Sequence, residues 1–201
     1  MLIGLIISGV ASFIYLIIRW AGDGCQDFET VTNFNVNSYM GTWYEYARTE
    51  NIPFEDGDCI TADYTLDGGH VKVTNTEYIR SADRLDSASG KAFCSKFNDG
   101  MCGVKFNFFQ PMGKYDVVST DYTSYAIVYS CSHFLAGAFC LEYLWILART
   151  TYEKDSADQV AFQLMVDEKL KEALPDFDQS SLKLTSQDAS TCKWTNPPPA
   201  A

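Results

Sequence analysis

Histidine is almost missing from this chain: His70 and His133 are the only two in 201 residues. No G-x-S-x-G, H-E-x-x-H or glycine-rich phosphate loop occurs, which excludes the common hydrolase, zinc-protease and nucleotide-binding signatures. None of the seven cysteines stands in a C-x-x-C pair, so an ordinary zinc or thioredoxin-type site is excluded as well. Positive charge is also scarce. Lys plus Arg total 15 against 26 Asp plus Glu, a net charge of −11, and such a chain is repelled by phosphate backbones and anionic lipid. Nucleic acid is therefore not an expected partner. No metal or cofactor is expected, and enzyme activity is not. His70 lies beside a turn, where an exposed polar residue is the ordinary expectation. There is no N-x-S/T sequon.

Long apolar runs are lacking except at the start, where residues 1–18, MLIGLIISGVASFIYLII, hold no charged side chain. About 17 apolar residues is short for a membrane span and long for the core of a signal peptide. Two fates follow. Small residues at Gly22 and Gly24 before Cys25 fit cleavage, giving a signal peptide over 1–24 and a secreted, extracellular domain. Retention would leave a membrane anchor through residues 2–18, with Arg19 placing the domain in the cytosol by the positive-inside rule. Seven cysteines favour the first fate, because disulfides persist outside the reducing cytosol.

From Cys25 onward, short β-branched and aromatic segments alternate with turn clusters at regular spacing, the pattern of an all-β sandwich or barrel. Strands are expected at 42–50, 59–66, 70–79, 86–94, 102–109, 114–120, 125–132 and 141–149. The links between them are too short for parallel crossovers, so neighbours are antiparallel. A single helix follows, opened by the capping box Ser156-Ala157-Asp158-Gln159 and stopped at Leu174-Pro175. Phe162, Val166 and Leu170, with Met165 and Ala173 alongside, form its apolar face. Residues 25–194 make one domain, and 195–201, TNPPPAA, a short tail. Eight meandering strands expose two edges unless they close into an up-and-down barrel, which has room inside for one small ligand. Cys94 and Cys102 flank the hairpin signal Asn98-Asp99-Gly100, which brings them close enough to bridge.

In a closed meander, Gly41-Thr42-Trp43, Thr120-Asp121-Tyr122 and Arg149 fall at the same end. These motifs, G-x-W, T-D-Y and the closing arginine, resemble the signature of the lipocalin family within the calycin type. GTWYEYAR (41–48), VKVTNTEY (71–78), STDYTSYAIVYSC (119–131) and WILAR (145–149) are most similar to its apolipoprotein D-like and bacterial-lipocalin branch. The resemblance covers 25–192. It implies an eight-stranded barrel with the helix packed outside, and a structural closed end of Gly41, Trp43, Thr120, Asp121, Tyr122 and Arg149 in which the guanidinium lies over the Trp43 indole. A cation on a Trp face gains roughly 0.5 to 2 kcal/mol. The resemblance also implies disulfides Cys25–Cys131 and Cys59–Cys192. Cys94–Cys102 is then an addition to the pattern, and Cys140 is left odd.

The resemblance further places Tyr64, Asn75, Glu77, Phe106, Tyr115 and Trp145 in a ligand pocket. Alternation along the strands adds Tyr143 and Leu147 beside Trp145, Ala62 and Leu66 beside Tyr64, and Val71 and Val73 beside Asn75. Inward aromatics either line a hollow barrel or fill it. An inward amide and carboxylate at Asn75 and Glu77 need water, a ligand, or bonds to Tyr64 and Tyr115. At the open end Ile52, Phe54, Met112, Phe134, Leu135 and Phe139 form an apolar rim for ligand entry, for contact with a membrane surface or protein, or for packing among the loops. Cys140, near this rim, is read as reactive, intermolecular or buried and inert. The expected function is binding and transport of a small hydrophobic ligand: a lipid, fatty acid, sterol, retinoid or tetrapyrrole. The alternatives are an interaction module using the rim and Cys140, and a lipid-modifying enzyme using Glu77.

Overall fold

A computed structural model of the chain describes residues 25–50, 52–95, 99–109, 111–134, 139–188, 190 and 192–194. The expected leader over 1–24 and the tail 195–201 lie outside them. Among the described residues no helix is long and apolar enough to cross a membrane.

Eight antiparallel strands run in chain order: β1 Gly41–Thr49, β2 Asp58–Asp67, β3 His70–Ile79, β4 Arg84–Cys94, β5 Met101–Lys105, β6 Gly113–Thr120, β7 Tyr125–Phe134 and β8 Phe139–Ala148. Each pairs with the next, and β1 pairs with both β8 and β2, which closes the barrel. Strand β5 stops at Lys105, short of the expected 109. Phe106–Phe109 bend away from the wall, so Phe108 and Phe109 are exposed.

Closure is uneven. Strand β1 contacts β2 only from Gly41 to Tyr44, and a bulge between Glu45 and Ala47 turns its second half outward. A segment unforeseen from the sequence enters the resulting slot. Strand β9, Leu182–Leu184, pairs with Ala47–Thr49, Thr185 N–H bonds to the Tyr46 carbonyl, and Cys59 N–H bonds to the Ser186 carbonyl. The C-terminal segment thus bonds to both sides of the slot, and the Cys59–Cys192 disulfide holds it there.

Helix α2, Ala157–Ala173, packs outside. Ser156 caps it by accepting from Gln159 N–H, while the Gln159 side chain accepts from Asp155 N–H. Phe162, Val166 and Leu170 are buried against Tyr46, Ile127, Leu144 and Ile146 of the wall, each contributing about 2 to 3 kcal/mol. The interior of the barrel holds a second cluster, Trp43, Ala62, Tyr64, Val71, Val73, Ala92, Val128 and Leu147, capped at one end by the short helix α1, Val36–Tyr39.

Candidate functional site

The closed end is built around Arg149. Its guanidinium lies 3.6 Å from the centre of the Trp43 ring and donates to the carbonyls of Tyr122, Thr42, Ser38 and Tyr39. A planar fork with five donors suits four carbonyls and an aromatic face together. Trp43 is fully buried, and its Nε1 donates to the Tyr39 carbonyl. Gly41 has φ +97°, and an added Cβ would stand 3.4 Å from an Arg149 nitrogen. A side chain there would be strained by the backbone as well as crowded. Thr120 accepts from Tyr122 N–H, while Asp121 accepts from the N–H groups of Thr123, Ser124 and Tyr125, which holds the turn. These hydrogen bonds pull the Asp121 carboxyl down against the effect of burial, the largest influence on it.

Above this floor three phenols meet: Tyr115 Oη lies 2.9 Å from that of Tyr39 and 2.8 Å from that of Tyr64. Burial pushes all three upward from the ordinary tyrosine value, so they stay protonated. Two contacts use two of the three hydroxyl hydrogens, leaving one donor to spare. A void of about 20 Å³ beside them, lined by Phe34, Tyr39, Tyr64, Val71 and Tyr115 among others, has room for about one water.

The upper barrel is more polar. Inward positions on β4, opposite Val71, Val73 and Asn75, are Ala92, Gly90 and Ala88. These small residues leave space, and Phe106 lies against Gly90, where a Cβ would come within 2.9 Å of its ring. Arg84 through Ser89, which pair with β3 but lie beyond the reach of β5, are exposed on both faces of β4. Asn75, Glu77, Phe106, Tyr115, Tyr143 and Trp145 are half-buried, whereas Tyr64 and Leu147 are buried. The Oδ1 of Asn75 is buried with no hydrogen-bond partner among the described residues.

Neither Asn75 nor Glu77 bonds to the phenols. Glu77 instead accepts from Gly57 N–H at 2.7 Å, tying down the β1–β2 loop. That loop is held at two further points: Arg48 donates to the carbonyls of Glu55 and Gly57, and Trp145 Nε1 donates to the Glu55 carboxyl at 2.8 Å. Arg48 also pairs with Glu45 at 2.6 Å, and Thr185 donates to the same carboxylate. Both charged residues are buried, at 3% and 2% exposure. Three carboxyls, Glu45, Glu55 and Glu77, thus share this region with one guanidinium. Burial pushes the Glu55 carboxyl up to about 8, and the nearby Glu45 charge adds to the effect. At the rim Asp86, opposite Glu77, pairs with Arg84.

Glu45, Arg48, Glu55 and Tyr39 were not among the expected site residues. Glu45 has a sequence signal, since it stands two positions after the inward Trp43. Arg48 faces the slot only because of the bulge, and Glu55 belongs to a loop, where alternation says nothing. Three expectations here need correction. Leu66 keeps its pairing opposite Val71 but is 47% exposed at the far end of β2, outside the pocket. Ile52 packs inward at 2% exposure and does not belong to the rim, where Phe54 and Met112 are exposed. Leu135 and the side chains of Phe134 and Phe139 lie outside the described residues, as do Asn98 and Gln110. His70 is half-buried beside the Phe93 ring, contrary to the expected exposed position.

Disulfides join Cys25 to Cys131, Cys59 to Cys192, and Cys94 to Cys102, the last directly paired across β4 and β5. Outside the barrel, a groove of about 810 Å³ runs between residues 27–32 and the Lys169–Ala173 end of α2. Its charged lining and openness to water make it a poor site for a hydrophobic molecule.

A family profile described as a lipocalin-like domain matches residues 34–168. The Lazarillo protein of Schistocerca americana is 36% identical over 130 residues, covering 63% of this chain and 61% of that protein. Apolipoprotein D of Rattus norvegicus is 36% identical over 170 residues, 84% of each chain. Among solved structures, the amine-binding protein of Rhodnius prolixus in complex with tryptamine superimposes with a TM-score of 0.61 at 20% identity, covering 86% of this chain and 91% of that one. With the barrel closed over the Trp43–Arg149 floor and the profile spanning most of its strands, the chain belongs to the lipocalin family.

Proposed function

We propose that the protein binds a small hydrophobic molecule inside the barrel, between the phenol cluster and the β1–β2 loop, and carries it outside the cytosol. The observation that supports this most is the buried Asn75 Oδ1, unpartnered among the described residues, beside the half-buried inward Glu77, Phe106, Tyr143 and Trp145. A buried amide oxygen is costly unless water or a ligand satisfies it. Three disulfides fit an oxidising compartment.

The polar groups narrow the ligand class. A spare phenol hydrogen and the unpartnered Asn75 Oδ1 offer one donor and one acceptor at mid-depth. Arg48 is already paired with Glu45, and Glu77 lies alongside, which disfavours an anionic end there. A ligand with a neutral hydroxyl or carbonyl, or a cationic amine, fits better than a fatty-acid carboxylate. Quenching of Trp145 fluorescence by a sterol, a retinoid, an alkylamine and a fatty acid tests this. Saturable quenching that is lost in Trp145→Phe supports the proposal. Tightest binding by the fatty acid would overturn the charge argument, and no binding by any of the four in folded protein would overturn the carrier reading.

A second reading rests on Phe108 and Phe109, which are 85% and 92% exposed next to Met112 at the mouth. These side chains suit insertion into an uncharged lipid surface, from which a ligand would be loaded. Co-sedimentation with phosphatidylcholine vesicles, lost in the double variant Phe108→Ser/Phe109→Ser, is the expected result.

A further inference from the structure

Cys140 is the one cysteine outside a disulfide among the described residues, and its surroundings are not those of an inert core thiol. It pairs directly across β7 and β8 with His133, and its Sγ lies 3.1 Å from the imidazole Nδ1. Two residues before His133, on the same face of β7, Cys131 carries the N-terminal segment through its bond to Cys25. The Cys25 sulfur, the Cys140 sulfur and a His133 ring nitrogen all lie within 4.8 Å of one another. His133 is exposed, and Cys140 and Cys25 are half-buried, so solutes reach the cluster.

A metal is poorly served here. The Cys25 sulfur is spent in its disulfide, which leaves one thiol and one imidazole where zinc takes four donors. A thiol beside a base and beside a disulfide sulfur has the geometry of another reaction. Exchange needs a thiolate, access, and a sulfur to attack.

We propose that Cys140, His133 and the Cys25–Cys131 disulfide form a thiol–disulfide exchange site, through which the tether of the N-terminal segment passes from Cys131 on β7 to Cys140 on β8. His133 Nδ1 takes the Cys140 proton. The Cys140 thiolate attacks Cys25 Sγ, the Cys25–Cys140 bond forms as the Cys25–Cys131 bond breaks, and the departing Cys131 thiolate recovers the proton from the imidazolium. One disulfide and one thiol stand on each side, so no oxidant or reductant is consumed. The two isomers differ in what they show to solvent. Cys131 is 2% exposed within the cluster under α2, whereas Cys140 is accessible, so the exchange withdraws the protein's reactive thiol from solution.

The test uses the full disulfide-bonded chain. In Cys131→Ser, Cys25 and Cys140 are expected to form a disulfide in most molecules, seen by peptide mapping without reduction. Both cysteines remaining alkylatable in a folded sample would overturn the proposal. Should Cys131→Ser fail to fold, wild type held at pH 8 for several days and then trapped in acid decides: a Cys25–Cys140 peptide with free Cys131 supports it, and the native pairing alone refutes it. In His133→Gln, alkylation of Cys140 by iodoacetamide at pH 7 is expected to slow about fivefold or more. An unchanged rate would remove His133 from the site.

Discussion

Replacing Glu55 by Gln isolates the carboxyl that sits between Trp145 and the acidic upper barrel. In the folded protein burial raises this group from 4.5 to about 8, and in the unfolded chain it returns to the ordinary value. Between those two values the folded state holds a proton that the unfolded state has released, so stability falls as pH rises across the window. The slope is about 1.4 kcal/mol per pH unit, and over the whole interval the loss approaches about 5 kcal/mol. Below the unfolded value the contribution is complete, and above the folded value it is gone. Gln keeps the oxygen that accepts from Trp145 Nε1 and cannot ionise, so Glu55→Gln should be flatter across the window and more stable than wild type near pH 9. Urea unfolding of both proteins without reductant, at intervals from pH 5 to pH 9, gives the difference curve and cancels the other titrating groups. Trp145 emission should shift in wild type alone, with a midpoint near 8, as ionised Glu55 is repelled by Glu45 and the loop loosens. Superimposable stability profiles, or a wild type that gains on the variant as pH rises, would refute the assignment of Glu55 as a buried neutral acid.

Arg149→Met removes four hydrogen bonds to backbone carbonyls and the contact with Trp43. It should cost about 3 to 5 kcal/mol by thermal or urea unfolding, with ligand affinity changed less than about threefold because the pocket lies above the floor. Gly57→Ala puts a Cβ 2.6 Å from a Glu77 carboxylate oxygen and 3.0 Å from the Tyr78 carbonyl. Hydrogen exchange across residues 52–58 should rise while global stability drops by about 1 to 3 kcal/mol. The Cys59→Ser/Cys192→Ser variant frees a link across 133 residues, for an expected loss of about 5 kcal/mol in the chain-entropy account. Faster exchange at Thr185 than at Ile127 would then show the β1–β2 slot opening first.

The strands and the outer helix were legible because their residues alternate or repeat with the period of the element. Val71 and Val73 read as inward by alternation once the resemblance had placed Asn75, and Phe162, Val166 and Leu170 as one face of α2. Trp145 and Leu147 followed from alternation once Arg149 fixed which side of β8 was inside, whereas Tyr64 was placed by the family resemblance. Leu66 failed because alternation gives direction and not depth, and the strand continues past the level where the barrel has an interior. The fate of β5 was hidden for a related reason. Phe106, Phe108 and Phe109 all favour strands locally, yet the wall ends at Lys105 and only Phe106 finds a slot, against Gly90.

With the floor of Trp43 under Arg149 implied by the family resemblance, the chain's order of residues by itself determined a closed antiparallel barrel and an acidic surface unsuited to nucleic acid. Those are matters of period, of turn chemistry and of summed charge, all carried along the chain. Only the tertiary structure decided that residues 182–187 complete the wall, that Glu45, Arg48, Glu55 and Glu77 meet at the β1–β2 loop, and that Cys140 faces His133 and the Cys25 sulfur. These join segments as much as 142 residues apart through loops and a bulge. No local rule of propensity or alternation reaches across such breaks, because a loop resets the direction of every side chain that follows it.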